Sequence, residues 1–268
     1  MIEMQPLLKI NKINMHYESS KGEIRVLKNI AFAVNHGEFL CIIGPNGCGK
    51  TTLLHIIAGF LKPSSGTASI KDQIIDSPGP DRPIIMQDLG LFYWMNVWDN
   101  VIFGLKIKNK DDNKISKTAN LWLNKLGLIG FEKQYPFELS GGMKQKLAIA
   151  RAFVLDPEML ILDEPFANLD AQTRERMQEN IADLAFSTKK TILMVTHSID
   201  EAIFLADRVI VLTERPANIK EIINIPLERP RKSEFRLTEH FLKIKKHIYE
   251  VLKLENKEEN HVSNKKSL

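Results

Sequence analysis

Residues 44–51 read Gly-Pro-Asn-Gly-Cys-Gly-Lys-Thr and follow directly on the apolar run Phe39 to Ile43. An apolar stretch, Thr52 to Gly59, comes next. This strand–loop–helix order, with the spacing G-x-x-x-x-G-K-[ST], constrains the fold more than any other feature. Glycines let successive backbone N–H groups turn inward around an anion, at the positive end of a helix dipole. Lys50 adds a mobile point charge and Thr51 a hydroxyl suited to Mg²⁺. Gly44, Pro45, Asn46, Gly47, Cys48, Gly49, Lys50, Thr51 and Thr52 are therefore the candidate cradle for the phosphates of a nucleotide.

Such a loop belongs at the end of a buried strand, and the chain supplies several. Phe39 to Ile43, Met159 to Leu162, Ile192 to Val195 and Val209 to Leu212 are almost continuously apolar, as expected of parallel strands covered on both faces. Between them, Met177, Ile181, Leu184 and Ala185 share one helical face. The segment 88–155 lacks a strand run, and Ile115, Ala119, Trp122, Leu123 and Leu126 fall at helical spacing, with Gly127 and Gly130 after them. Before Val34 the pattern is β-rich, alternating in Leu8, Ile10 and again in Ile24, Val26. The expected fold is α/β: a P-loop NTPase core with a mostly parallel sheet, an N-terminal antiparallel β subdomain and an inserted helical subdomain.

At the far end, Ile222, Ile223 and Ile225 suggest one more strand, broken by the cluster Pro226 to Arg231. Leu237, Phe241, Ile244, Ile248 and Val251 form a stripe that predicts an amphipathic helix over 233–254. The polar residues 255–268 read as a disordered tail. No internal repeat is visible, so one nucleotide-binding domain, 1–232, is expected.

Composition excludes several classes. A net charge of +4 with scattered Lys and Arg gives no nucleic-acid footprint. Cys41 and Cys48 have neither metal-ligand nor disulfide spacing, which suits a reducing cytosol. Cys48 lies inside the phosphate loop, so its alkylation is expected to inhibit, with nucleotide protecting. No apolar stretch approaches the ~20 residues that span a bilayer. Any membrane role would come through a partner.

A second chemical element is the strand Glu158 to Asp163 ending in Asp163-Glu164. Asp163 is placed to hold Mg²⁺, and Glu164 to polarise an attacking water in phosphoryl transfer. A third is Leu139-Ser140-Gly141-Gly142-Met143. Ser140, Gly141 and Gly142 open a helix whose N-terminus can receive another anion. Here the chain resembles the ABC transporter ATPase family, whose signature is LSGGQ-like. The resemblance implies that this second cradle covers ATP bound to the opposite subunit, in a head-to-tail homodimer.

Other residues match the family in order over residues 6–230. Tyr17 lies where an aromatic stacks on adenine. Gln87 matches the glutamine that senses Mg²⁺ and water, Asn168-Leu169-Asp170 the loop that touches the other subunit, and His197 the switch histidine on the γ-phosphate. Met143 departs from the usual Gln, Lys146 from the frequent Arg and Asn168 from a small residue, and the contacts of Met143 stay open. Several stretches are similar to the nitrate, sulfonate and taurine importer branch, including Pro78 to Arg82, Trp94 to Val101, Pro165 to Arg174, His197 to Ala202 and Arg229 to Arg231. Tyr93 departs from a frequent proline. The branch implies an integral-membrane permease and an external substrate-binding protein, with Leu91 to Trp98 the candidate dock for the permease's cytoplasmic helix. The alternative reading is a non-transport ABC ATPase acting on ribosomes or DNA. A P-loop kinase would leave the signature and His197 without a purpose.

Overall fold

The continuous apolar runs become fully buried strands. A computed structural model describes residues 5–20, 22–108, 111–229 and 231–263, with side chains as far as Lys253. In chain order come β1 (Leu8–Ser19), β2 (Gly22–Val34), β3 (Phe39–Ile43), α1 (Lys50–Ala58), β4 (Ser65–Ile70), β5 (Gln73–Ile74) and β6 (Ile84–Ile85). Then follow α2 (Val97–Ile107), α3 (Asp112–Lys125), α4 (Gly141–Phe153), β7 (Met159–Asp163) and α5 (Ala171–Thr188). The chain continues through β8 (Thr191–Val195), α6 (Ile199–Leu205), β9 (Arg208–Leu212), β10 (Ile219–Asn224) and α7 (Glu239–Ser263). Contacts group Met1–Pro78 with Ala182–Leu268 in one compact unit, and Gly79–Ile181 in another, wider than the helical segment expected over 88–155.

In the first unit, β3 pairs in parallel with both β8 and β9, Ile42 standing opposite Val195 and Ile210. All residues of β3 and β8 are buried. Ligand loops therefore emerge together at the carboxyl ends of neighbouring strands, where α/β folds place their sites. β10 closes antiparallel on β9. A separate antiparallel sheet has the order β2-β1-β4-β5. The β1–β2 pairing shifts register at three places, between Ile10 and Ile13, between Ile13 and Met15, and between Met15 and His16. Met15 faces Leu27 and His16 faces Arg25, so Val26 is an extra residue in β2; Ile24, beyond that irregularity and near the hairpin end, is exposed.

The C-terminal segment packs on the same unit. Phe241, Ile248 and Val251 of α7 are buried as the stripe predicts. Leu237 is not part of it: it lies in the 3-10 turn Ser233–Leu237, before α7 begins, and is 83% exposed. The backbone of α7 runs on to Ser263, past Glu255 where the polar composition suggested a tail. Lys and Glu are good helix formers, so polarity alone does not end a helix. Pro230 and residues 264–268 lie outside the described residues.

In the second unit, β6 pairs in parallel with β7, Ile85 opposite Leu162. The helical part forms as its punctuation dictates. Asn96 caps α2 by accepting the Asp99 N–H at 2.7 Å, and Asp111 caps α3 by accepting the Asn113 and Lys114 N–H groups. Ile115, Ala119, Trp122, Leu123 and Leu126 are all buried. Among the described residues no helix is long and apolar enough to cross a membrane.

Candidate active site

The first unit carries the phosphate loop. It leaves β3 at Gly44 and enters α1 at Lys50, with Gly49 at φ 124°, ψ 14°. A Cβ on Gly49 would lie 2.8 Å from Val26 Cγ1 and 2.9 Å from Leu27 Cδ2, so β2 presses directly on the loop. Lys50 is buried and donates to the carbonyls of Gly44 at 2.9 Å and Pro45 at 2.8 Å. The ammonium is thus held folded back over the loop by two neutral acceptors, bonds that an anion's charge would outcompete. Thr51 is exposed at the helix start, and Thr52 is half-buried behind it. Tyr17 stands exposed on β1, opposite Ile24 of β2.

Cys48 corrects an expectation. Its side chain is 1% exposed and its sulfur would lie 3.2 Å from a Cβ on Gly44. The thiol packs beneath the loop, not towards a reagent in solvent. Cys41, in the middle of β3, is buried as well; burial first, then the Glu201 carboxylate, pushes its thiol well above the usual range.

His197 emerges beside the loop. Its strand β8 is the neighbour of β3, and the Thr196 N–H still donates to the Ile42 carbonyl at 3.3 Å. One residue later the chain turns, leaving His197 exposed.

The second unit gathers the remaining candidates. Gln87 and Glu164 each follow the paired ends of β6 and β7, two residues beyond the Ile85–Leu162 pair. Asp163, the last residue of β7, is buried. Glu164 takes a left-handed backbone, φ 48°. For a residue with a Cβ this costs about 1–2 kcal/mol, and such strain concentrates at working sites. The Asn168 amide donates to the Gln87 carbonyl at 3.4 Å, bringing the two loops together.

Ser140 caps α4 by accepting the Met143 N–H at 3.4 Å, leaving Gly141 exposed at the helix entrance. A Cβ on Gly142 would meet Thr173 Cγ2 at 2.8 Å, and one on Gly141 would meet Leu169 Cδ2 at 3.5 Å. The signature helix and the Asn168–Asp170 loop are therefore neighbours. Asp170 accepts the Thr173 N–H at 3.0 Å, which, with the Thr173 hydroxyl, holds its carboxyl below the ordinary range. Met143 and Lys146 are half-buried on α4.

A sequence model of the ABC transporter family matches residues 27–167, more than half of the chain. The chain belongs to the ABC transporter family. Its relatives include a taurine import ATP-binding protein of Pelagibacter ubique, 44% identical over 80% of this chain and 81% of that protein. A nitrate import ATP-binding protein of Synechocystis is 43% identical over 86% of this chain and 88% of its own length. Among solved structures, the dimeric structure of a bacterial ABC transporter cassette superposes with a TM-score of 0.72 at 27% identity, covering 82% of this chain and all of that one. The protein is an α/β ABC-type ATPase that binds and hydrolyses ATP.

The structure of this ABC ATPase adds groups that motif spacing did not single out. Arg215, in the β9–β10 loop, donates to the Gly47 carbonyl at 2.7 Å. That loop is fastened to β2, because Ala217 exchanges hydrogen bonds with Val26 and Lys28. A contact spanning so much sequence carries no local signal. A second surprise is the order in the aromatic segment. Leu91 and Val97 are core, Trp98 is half-buried, and Trp94 is 72% exposed. The buried Asn100 side chain accepts the Phe92 N–H and donates to the carbonyls of Phe92, Met95 and Asn96, so the loop is held stiffly. The backbone of Val97 and Trp98 bonds to Gln134 and Glu132, which brings a stacked pair, Tyr135 and Phe137, onto the same edge.

Proposed function

We propose that this ABC ATPase powers solute import as one half of a head-to-tail homodimer on the cytoplasmic face of the membrane, beneath a permease fed by an external substrate-binding protein. The single observation that carries the dimer is the presence of two anion-receiving helix starts in one chain. One is α1 behind the phosphate loop, and the other is α4 behind Ser140, Gly141 and Gly142. One nucleotide needs one such cradle from each subunit. The dimeric state of the bacterial cassette supports this reading. Import, and a small solute of the taurine or nitrate kind, is supported by the names of the relatives.

In this scheme Tyr17 stacks on adenine, the loop from Gly44 to Thr52 holds the phosphates, and Asp170 faces the other subunit. Glu164 takes the proton of the attacking water, Gln87 orients that water, and His197 contacts the γ-phosphate. Thr51, Gln87 and Asp163 supply oxygen donors of the kind Mg²⁺ takes, and they fit that ion by chemistry. When bound, Mg²⁺ neutralises charge developing on the phosphate oxygens. Trp94, Tyr93, Tyr135 and Phe137 offer the permease an exposed aromatic edge.

The test is Glu164→Gln in the purified full chain. The amide keeps the side chain's shape and removes its basicity. Expected are retained ATP binding, loss of turnover and an ATP-dependent dimer on size exclusion. A variant that stays monomeric and hydrolyses ATP at the wild-type rate refutes the scheme.

A further inference from the structure

His197 sits in a turn built in an uncommon way. The sequence Ser198-Ile-Asp-Glu201 has the form of a capping box, in which the glutamate would bond back to the backbone N–H of the serine. Half of that box is present: Ser198 Oγ accepts the Glu201 N–H at 3.3 Å. The other half is relayed through a third residue. The Thr196 hydroxyl donates to Glu201 Oε2 at 2.5 Å and itself accepts the Ser198 N–H at 3.0 Å.

The relay has a geometric consequence. In an ordinary capping box the residue before the cap is tied by nothing. Here both chain neighbours of His197 are tied: the Thr196 hydroxyl donates to the Glu201 carboxylate, and the Ser198 N–H donates to that same hydroxyl. Thr196 and Glu201 are buried while His197 is exposed. Burying a carboxylate at the start of a helix of seven residues is costly unless its hydrogen bonds are made, and α6 would need only Ser198 to be capped. The expense is accounted for if the clasp fixes the direction in which His197 leaves the sheet.

We propose that Thr196 and Glu201 are positioning residues for His197, holding its backbone so that the imidazole meets the γ-phosphate in a fixed pose. The proposal rests on the reading of His197 as the γ-phosphate contact. Misplacement of a reacting-site group by about 1 Å can cost roughly 100-fold in rate. The clasp is thus expected to appear in turnover and not in nucleotide affinity.

The test uses the full chain and Thr196→Val, which keeps the shape and removes the hydroxyl. ATP turnover is measured with ATP affinity, and the His197 Cε1–Hε1 resonance, assigned by its loss in His197→Ala, is followed by NMR. Expected is a kcat lowered roughly 10- to 100-fold with KM for ATP within about twofold. The His197 signal is expected to shift while the other histidine signals stay. Thr196→Ser restores both. Glu201→Gln, which keeps an acceptor oxygen, gives a smaller loss of the same pattern, and serves should the valine variant fail to fold. An unmoved His197 signal overturns the proposal, as does a change in KM without a change in kcat. Wild-type turnover in His197→Ala defeats the role of the histidine instead, and the NMR shift then still decides whether the clasp holds it.

Discussion

Replacing Gly49 by alanine tests how the phosphate loop is built. At φ 124°, ψ 14° the backbone lies where glycine alone is comfortable, and holding alanine there costs about 1–3 kcal/mol. The new methyl would also stand 2.8 Å from Val26 Cγ1 and 2.9 Å from Leu27 Cδ2. Relieving such contacts in a packed interior adds about 1–3 kcal/mol. A middle value of about 4 kcal/mol lowers the melting midpoint by roughly 8–16 °C in a chain of this size. Gly47 supplies the control. It too has a positive φ, 71°, but a methyl there meets nothing within 4 Å. Gly47→Ala therefore bears only the conformational cost, about 1–2 kcal/mol and roughly 2–8 °C. Thermal melting ranks the two variants, and fluorescent-nucleotide titration reads whether the cradle survives. Affinity is expected to fall at least tenfold for Gly49→Ala. Adding Val26→Ala to Gly49→Ala, and comparing with Val26→Ala alone, returns the steric part, because the two sites touch. Equal melting midpoints for the two glycine variants would refute the claim that β2 presses on the loop.

Three further outcomes follow from particular contacts. Arg231→Ala leaves the carbonyls of Ile203, Phe204, Ala206 and Leu227 without their guanidinium donor, and should cost about 2–4 kcal/mol in urea unfolding, with Arg231→Lys recovering part of it; an unchanged midpoint would count against the bonds. Trp94→Ala changes stability by less than about 0.5 kcal/mol because the ring is exposed, yet should sharply reduce solute uptake by the assembled transporter; full uptake with normal assembly would remove the loop from the docking surface. Cys48 should react with alkylating reagents no faster than the chain locally opens, since its thiol is buried, and labelling at the rate of a free thiol would show that the loop is not closed as described.

Much of this was legible in the sequence wherever chemistry dictates residue type locally. A cradle of N–H groups demands glycines, so residues 44–49 announce themselves. Strands covered on both faces must be apolar throughout, so β3, β7 and β8 read directly. The carboxylates Asp163 and Glu164 gain meaning from the strand they end. What stayed hidden depends on contacts between distant residues or on backbone angles. Arg215 reaches Gly47 from the other end of the unit's sequence, and nothing in its spacing says so. The left-handed turn at Glu164 occurs at a residue type that does not favour it. Leu237 fitted a helical stripe by periodicity but lies before the helix, because periodicity does not mark where the first turn starts. The thiol of Cys48 was read by motif position, and packing beneath Gly44 decided its fate.

Arg231 has one more consequence, in time and not in energy. Burial draws its guanidinium down to about 10, so it remains charged as it grips the end of α6. It does so from beyond the last strand, long after His197 has been made. During synthesis every strand and the phosphate loop leave the ribosome before this arginine does. The helix that follows the histidine must wait for it with its final carbonyls unclaimed. The corner of the molecule that carries His197 is therefore among the last to set, and a chain cut short before residue 231 would own every motif of an ATPase while lacking the bolt that holds one of them still.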